Sequence, residues 1–557
     1  MLVIGGYGGF GARVSTLLAQ AGWSVTVAGR SLAKAASLCR SHPELALRPV
    51  ALDRDQPIDT LLCSLAPWLV IDAAGPFQGI DYRIAQSCIA AGSHYVDLAD
   101  GRDFVAGIAR LHVQAKAAGL CLISGASSVS ALTSAVADRL AAGLETVSLI
   151  DIALSASNRA SGSRSVTSAI LSYLGKPIRL WRGGRWSFGH GWQELSRIRF
   201  AIPGERPIRR HVALCDVPDL ELLPQRYRGR PAVRFRAGSE LAVQNVGLWL
   251  LSWPLRWRWF GSASGLIGLA LLAQKALRPL GGDRSAMSVL VKGWTGKQAV
   301  ERRWTVYAAR GDGPWIPSLA APLIADTLAK DELQPGAYPA VGLIDLATFE
   351  RAFERFHIRT GYEARAVQPL YRRIMGDAFD RLPPAVQAMH MVIGDAGAEG
   401  VADVSSGGPV ARLIARLFGL PAAGRSVPLH LRMQEEEGVE TWTRTFGKSS
   451  FASRLSQRGQ LLVERFGLLR FGMALAPEPS GLSMPLRRWW IGPVPMPLRL
   501  APRIRGFEEA RTDGFHFDVE IRLLLVGLLT RYRGRLTRST EASAVPAARP
   551  DPRSPPA

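Results

Sequence analysis

The start of the chain places five glycines directly after a short apolar run, a pattern that can bind phosphate. Residues 2–4 are apolar and predict a buried strand, and residues 13–21 predict a helix with Val14, Leu17 and Leu18 on one face. Between them lies Gly-x-Gly-x-x-Gly, which points backbone N–H groups and a positive helix end at a pyrophosphate. The predicted contacts are Gly6, Tyr7, Gly8, Gly9, Phe10 and Gly11.

The end of the second predicted strand indicates which dinucleotide binds. Residues 24–28 form this strand, and Arg30 and Ser31 follow it, about 20 residues after the glycine motif. NAD enzymes carry Asp or Glu at this place, whereas a guanidinium and a hydroxyl suit a 2′-phosphate. We therefore predict NADP(H), with NAD(H) and an Arg30 that merely lies on the surface as the alternatives.

Three further segments, taken with the glycine motif, resemble the saccharopine dehydrogenase family in its broad sense. They are residues 28–30 (Ala-Gly-Arg), 73–77 (Ala-Ala-Gly-Pro-Phe) and 92–97 (Gly-Ser-His-Tyr-Val-Asp). The resemblance implies that Ala74, Gly75 and Pro76 lie beside the ribose and nicotinamide of the cofactor. It also implies that the end of the strand at 95–97 lies at the mouth of the same crevice.

Candidate proton donors follow from that placement. Tyr95, Asp97 and His94 would lie near the nicotinamide, although strand alternation allows at most one or two of them to face the cleft. For Tyr95 and Asp97 a hydrogen bond that tightens the strand end is an equal alternative. The sequence contains no recognisable Ser-His-Asp set, metal-ligand cluster or Walker-type loop, so we predict no metal site.

The elements that position these residues predict an α/β protein with more than one domain. We expect a Rossmann-type parallel sheet at 1–145, an α+β substrate and dimerisation domain at 146–362, a C-terminal α+β domain rich in antiparallel strands at 367–538, and a disordered tail at 539–557. The third of these resembles a domain of unknown function, DUF4166, that is often fused to saccharopine dehydrogenase-like proteins. The resemblance rests on residues 382–390, 407–409, 442–446, 464–467 and 513–519, followed by Gly527 and residues 532–536.

Alternation within the third domain groups several polar side chains. Residues 439–446 and 514–521 both alternate as strands do. Glu440, Arg444, His516, Asp518 and Glu520 then either line a polar cavity or belong to a solvated sheet face, and we favour the solvated face.

Charge is distributed unevenly along the chain. Residues 1–150 carry 11 basic and 11 acidic residues, so the remaining 57 Lys/Arg and 35 Asp/Glu account for the net charge of +22. Such an excess suggests an anionic partner, and an arginine-rich composition without a partner is the alternative. The dispersed arginines and the lack of a nucleic-acid motif argue against nucleic acid.

Residues 248–280 are the most apolar part of the sequence. Trp249, Trp253 and Trp257 recur every four residues, which predicts one helical face that Pro254 would interrupt. The apolar run is short for a membrane span, but aromatic rings next to Arg suit an anionic membrane interface. A helical subdomain packed on the sheet or on a second subunit is the alternative, and a homodimer is expected.

Together these features predict an NADP-dependent oxidoreductase that transfers hydride to or from a small or lipid-like substrate, such as an enoyl lipid rather than saccharopine. A non-catalytic NADP-binding redox sensor and a peripheral membrane protein are the alternatives. Five scattered cysteines indicate a reduced, cytoplasmic protein, with membrane association as a further option. Because the chain opens in its first strand, we also expect no signal peptide.

Overall fold

The fold was analysed in a computed structural model, which describes residues 1–159, 164–259 and 264–539. It is an α/β protein with an N-terminal parallel sheet, a mixed sheet and a C-terminal antiparallel sheet. The predicted disordered tail lies outside the described residues except for Ser539.

The N-terminal sheet is parallel throughout and has the strand order β15-β6-β5-β4-β1-β2-β3, in which β15 is Gly336–Pro339. Its first six strands are Leu2–Ile4 (β1), Val25–Gly29 (β2), Leu47–Ala51 (β3), Leu69–Asp72 (β4), His94–Asp97 (β5) and Cys121–Ser124 (β6). The helices are Gly9–Gln20 (α1), Leu32–Ser41 (α2), Asp59–Leu65 (α3), Arg83–Ala90 (α4), Arg102–Gly107 (α5), His112–Ala117 (α6) and Ala131–Ala141 (α7). The apolar face of α1, with Val14, Leu17 and Leu18, is buried as its periodicity predicts.

The second sheet has the order β10-β11-β12-β7-β13-β14-β16. The strands of this part of the chain are Thr146–Ala156 (β7), Pro177–Arg182 (β8), Arg185–His190 (β9), Ser196–Phe200 (β10), Ile208–Leu214 (β11), Ala232–Ser239 (β12), Ser285–Thr295 (β13), Gln298–Ala308 (β14), Gly336–Pro339 (β15) and Ile358–Val367 (β16). The helices are Arg164–Tyr173 (α8), Asp219–Leu222 (α9), Ala242–Arg256 (α10), Ile267–Leu277 (α11), Ala320–Ala329 (α12) and Leu346–Phe353 (α13).

Two features of this region differ from the sequence-based domain limits. Strand β15 lies in the second part of the chain but belongs to the N-terminal sheet, where it pairs in parallel with β6. Strand β16 pairs with β14 as far as Val367, which is beyond the expected limit at 362.

Helix α10 continues past Pro254 because the proline lies in its last turn. Among the described residues, no helix is both long and apolar enough to cross a membrane.

The third sheet is antiparallel and contains 13 strands within the described ranges. They are Asp395–Ser406 (β17), Gly424–Glu436 (β18), Val439–Phe446 (β19), Ser449–Arg458 (β20), Leu461–Phe466 (β21), Leu469–Ala474 (β22), Ala476–Glu478 (β23), Gly481–Ser483 (β24), Leu486–Ile491 (β25), Val494–Met496 (β26), Arg503–Arg511 (β27), Gly514–Leu523 (β28) and Gly527–Arg538 (β29). Helices Leu370–Met375 (α14), Pro384–His390 (α15) and Pro409–Leu417 (α16) accompany it.

A buried ion cluster joins the second and third sheets. The Lys292 ammonium on β13 lies 2.6 Å from a carboxylate oxygen of Glu435 on β18 and 3.2 Å from one of Glu301 on β14. All three residues are buried. Since a buried charge without a partner is costly, this cluster fixes how the two sheets meet.

Candidate functional site

The turn between β1 and α1 has the shape that a dinucleotide-binding loop requires. Gly5 has a φ of +72°, which favours glycine. A Cβ on Gly11 would lie 2.2 Å from the Gly5 carbonyl oxygen, so only glycine allows the helix to approach the turn this closely. A Cβ on Gly9 would meet no atom within 4 Å, which leaves the front of the turn open. The first turn of α1 holds no acidic residue, so its N–H groups can take an anionic phosphate.

Tyr7 connects this turn to the end of β2. Its hydroxyl accepts a hydrogen bond of 2.9 Å from the Ser31 N–H. Its ring covers Gly29, where a Cβ would lie 2.5 Å from the ring carbon Cε1. The side chain of Tyr7 therefore holds the loop in place, and Phe10 is partly buried beside it in the first turn of α1.

The end of β2 presents positive charge. Arg30 is exposed there, and Ser31 caps α2 by accepting a 3.3 Å hydrogen bond from the Lys34 N–H. No acidic residue lies in the first turn of α2, and the exposed Lys34 adds a second cation that the sequence reading missed. The start of α2 therefore suits a phosphate.

The loop after β4 is held from two sides. The Arg54 guanidinium lies 2.9 Å from a carboxylate oxygen of Asp72, donates to the Ala74 carbonyl oxygen and lies 5.2 Å from the centre of the Phe77 ring. From the second domain, the Ser165 hydroxyl on α8 donates to the Gly75 carbonyl oxygen at 3.3 Å. Pro76 follows Gly75 in this loop. Arg54 belongs to no recognisable sequence motif, so its role in holding this loop could not be identified from the sequence.

The structure separates the three predicted proton donors. His94 begins β5, at the edge opposite the glycine turn, and its Nδ1 accepts a 3.0 Å hydrogen bond from the Cys121 N–H. Tyr95 is 1% exposed within a core cluster that includes Leu2 and Ile4. The placement of these two as donors at the cleft is wrong, because one lies at the far edge and the other inside the sheet.

Asp97 does lie at the correct edge, but its contacts are structural. Its Oδ1 accepts hydrogen bonds from the Ser124 hydroxyl at 3.0 Å, the Gly125 N–H at 2.8 Å and the Ala99 N–H at 2.9 Å. It is fully buried, and burial raises the pKa of its carboxyl to about 7. Asp97 therefore ties the segments after β5 and β6 together, which is the alternative noted for it from the sequence.

Two other titratable groups lie on segments next to the loop after β4. Asp100 follows β5 and accepts a 3.0 Å hydrogen bond from the Gln78 side-chain amide. Burial raises the pKa of Asp100. Tyr173, at the end of α8, has a pKa raised well above its ordinary value, chiefly by burial, and also by Cys215 and Asp100. Asp100 follows Asp97 by three residues and could have been found from the sequence. Tyr173 is distant along the chain, and no sequence signal indicated it.

Comparison with known families agrees with this geometry. Residues 1–123 match the saccharopine dehydrogenase NADP binding domain, and residues 382–536 match the domain of unknown function DUF4166. The chain is a fusion of these two domains. Its N-terminal part is therefore a dinucleotide-binding domain of an oxidoreductase family.

Solved structures share parts of the fold at low similarity. Homospermidine synthase from Legionella pneumophila, determined with NAD, is 12% identical with a TM-score of 0.44, covering 66% of this chain and 92% of that one. An amine dehydrogenase from Mycobacterium smegmatis is 11% identical with a TM-score of 0.34, covering 60% and 93%. No curated protein matches the chain.

In the DUF4166 domain, the polar side chains grouped from the sequence lie on two different faces. Glu440 is fully buried and accepts a 2.7 Å hydrogen bond from the Trp442 indole N–H, and burial raises its pKa to about 7. Arg444 lies inside as well, 5.2 Å from the centre of the Trp442 ring. By contrast, Asp518 pairs with Arg531 at the surface. The expectation that the set is mainly a solvated face is therefore wrong for Glu440 and Arg444.

A buried histidine completes this interior cluster. His390 Nε2 lies 2.6 Å from a carboxylate oxygen of Glu508, and its ring stacks on Tyr371 with centroids 3.7 Å apart. His516 and Glu520 instead pair outward, with Asp513 and Arg522. Among the described residues, no group of His, Cys, Asp and Glu side chains could hold a metal ion.

Proposed function

We propose that this fusion protein is an NADP(H)-dependent oxidoreductase whose substrate binds between the N-terminal domain and α8. The observation that carries the proposal is the open glycine turn together with the cationic, carboxylate-free start of α2. NADP(H), when bound, supplies or accepts the hydride. The backbone of residues 6–11 binds the pyrophosphate, and Arg30, Ser31 and Lys34 bind the 2′-phosphate.

At the other end of the crevice, the chain orients the substrate and holds a proton. The loop at 74–76, fixed by Arg54 and Ser165, positions the reacting end of the cofactor. Burial raises the pKa values of Asp100 and Tyr173, which makes these two side chains the candidates for a group that holds a proton beside the substrate.

The arginines near this crevice favour a substrate that does not carry two or three carboxylate groups. The Arg102 guanidinium lies 2.7 Å from Glu221 and 3.3 Å from Asp216, while Arg54 pairs with Asp72. Because these guanidinium groups already have anionic partners, they are poorly placed to clamp an amino acid joined to a keto acid. A lipid-like substrate, reduced for example at an enoyl double bond, agrees better with the apolar helices that adjoin α8.

The first test measures the affinity for NADPH and NADH by nicotinamide fluorescence. We expect tighter binding of NADPH, and we expect Arg30→Asp to weaken NADPH about 10- to 150-fold, because it removes a charge-assisted hydrogen bond and adds repulsion. Arg40→Asp, at the far end of α2, is the matched control and should leave the affinity nearly unchanged. Equal NADPH affinity in wild type and Arg30→Asp would refute the assignment.

Turnover is tested separately from binding. Oxidation of NADPH is followed against panels of unsaturated lipids and of small polar carbonyl compounds. Oxidation with lipids supports the proposed substrate class, and oxidation with carbonyl compounds alone contradicts it. Tight NADPH binding with no oxidation by either panel would favour a redox sensor over an enzyme.

A further inference from the structure

Helices α10 and α11 present an apolar surface that the rest of the described chain does not cover. On α10, Val243, Leu250 and Trp257 are seven residues apart and exposed, the last two by 57% and 55%. On α11, Leu269 and Leu272 are each 64% exposed. Large apolar side chains exposed in such number on two consecutive helices mark an interaction site rather than an ordinary protein exterior. We call the exposed residues of these two helices, with Trp259, the α10–α11 surface.

The opposite sides of the same helices are packed on the protein. Leu248, Leu251 and Leu255 of α10, and Ile267 and Ala270 of α11, pack against the main hydrophobic core. The two helices are therefore apolar on both sides: one side is anchored and the other is open.

Aromatic residues concentrate at one end of this surface. The rings of Trp249, Trp253, Trp257 and Trp259 form a continuous row, with centroids 6.1, 5.5 and 5.3 Å apart from one ring to the next. Trp259 is 70% exposed. Tryptophan is the residue that favours the boundary between lipid headgroups and acyl chains, because its ring is apolar and its N–H is polar.

Charge identifies the kind of partner. Residues 241–282 contain four basic residues and no acidic residue. Arg258, Lys275 and Arg278 are exposed beside the apolar side chains. An apolar segment that carries exposed cations and no carboxylate of its own complements an anionic lipid headgroup layer.

From these observations we propose that the α10–α11 surface docks the protein on an anionic membrane, with the two helices lying in the interface. The exposed leucines and tryptophans insert among the lipid headgroups and upper acyl chains, and the basic rim binds the phosphates.

The same helices contact the wall of the proposed substrate crevice. Helix α11 packs on α8, and the last turn of α10 packs on Gly175, where a Cβ would lie 2.6 Å from the Ser252 carbonyl oxygen. Helix α8 in turn carries Ser165 and Tyr173 at the crevice. Membrane docking thus brings the crevice next to the lipid phase, and a lipid substrate could enter along α8. The docking itself does not depend on the proposed reaction.

The test is co-sedimentation of the full-length protein with phosphatidylcholine vesicles, with and without phosphatidylglycerol. We expect binding that is stronger to the vesicles with phosphatidylglycerol and that weakens as salt is added. Trp257→Ser combined with Trp259→Ser should lower the partition coefficient at least about tenfold on both kinds of vesicle. Lys275→Gln combined with Arg278→Gln should lower the partition coefficient about fivefold for each charge removed, and only on the vesicles that contain phosphatidylglycerol.

Matched variants show whether the effect belongs to this surface. Phe188→Ser removes an aromatic side chain that is 64% exposed on β9 and should bind vesicles as wild type does. Leu269→Ser combined with Leu272→Ser repeats the test on α11 if the tryptophan variant is poorly folded. NADPH affinity, measured in parallel, should stay unchanged in all of these variants.

Three outcomes would overturn the proposal. In the first, wild type binds neither kind of vesicle. In the second, the tryptophan and leucine variants bind vesicles as wild type does. In the third, wild type forms a dimer that the same substitutions dissociate, and it does not bind vesicles. The last outcome would assign the surface to a second copy of the chain. Vesicle binding without NADPH binding would leave this proposal intact and refute the proposed reaction.

Discussion

Substitution of Gly11 by alanine should damage the dinucleotide site through the backbone alone. The new Cβ would lie 2.2 Å from the Gly5 carbonyl oxygen, while ordinary contact begins near 3.4 Å, so the turn must move by the difference of 1.2 Å. The obstructing atoms belong to the backbone of Gly5 and Gly6, which cannot rotate away as a side chain could. The displaced turn is the one whose N–H groups we propose to bind the pyrophosphate.

The expected loss follows from one weakened hydrogen bond to a charged group. Such a bond contributes about 2 kcal/mol, which corresponds to a rise in the dissociation constant for NADPH of about 30-fold. Forcing the extra methyl group into the packed turn should also lower the free energy of unfolding by about 1–3 kcal/mol. Both effects come from the same displacement and should appear together.

The assay is a fluorescence titration with NADPH, with circular dichroism and thermal unfolding as checks on the fold. Gly9→Val is a second variant for the same site, because its side chain points into open space and should block the phosphate with little cost to the fold. Gly247→Ala, inside α10 and free of neighbours within 4 Å, is the matched glycine control. If folded Gly11→Ala and Gly9→Val both bound NADPH as wild type does, the reasoning from the turn geometry would be refuted.

Two further predictions concern buried charge. The pKa of Asp97 rises on folding from 3.8 to about 7. Between these pH values the folded chain keeps a proton that the unfolded chain releases. The free energy of unfolding should therefore fall by about 4 kcal/mol as the pH rises from about 4 to 7. Asp97→Asn should remove this dependence, which urea unfolding of wild type and variant between pH 4 and 7 would measure. If the free energy of unfolding changed equally with pH in both proteins, the prediction would be contradicted. Lys292→Met should leave the buried carboxylate of Glu435 without its cation, and Glu301 with Arg365 alone, and cost about 3–5 kcal/mol. Thermal unfolding measures this, and combining Lys292→Met with Glu301→Gln and Glu435→Gln should restore most of the loss.

The interactions that lie close together along the chain were predictable from the sequence. The β1 strand, its glycine turn and α1 occupy residues 2–20, and each step depends on local backbone geometry, helix periodicity and the absence of a Cβ. Arg30 at the end of β2 and the alternation of β19 and β28 are local in the same sense. The two family resemblances rest on such local motifs, and the comparisons confirm them.

Only the tertiary structure could decide which polar groups meet. Strand alternation places Tyr95 and Asp97 on the same face of β5, but it does not reveal that the sheet buries the first and that three donors surround the second. Tyr173 comes under the electrostatic influence of Asp100 because α8 packs beside the N-terminal domain, where its Ser165 contacts Gly75. Glu440 and His390 become an interior cluster because the third sheet encloses them.

The physical reason is the range of the forces involved. Turns, caps and helix faces are set by residues a few positions apart, whose preferences the sequence displays directly. The burial of a carboxylate, the partner of an arginine such as Arg54 and the exposed side of α10 depend on segments that are distant in the chain and are brought together by hydrophobic packing. The sequence alone therefore determined the strand, glycine turn and helix at which we propose that a dinucleotide binds, and the packing of the chain decided which polar groups lie around them.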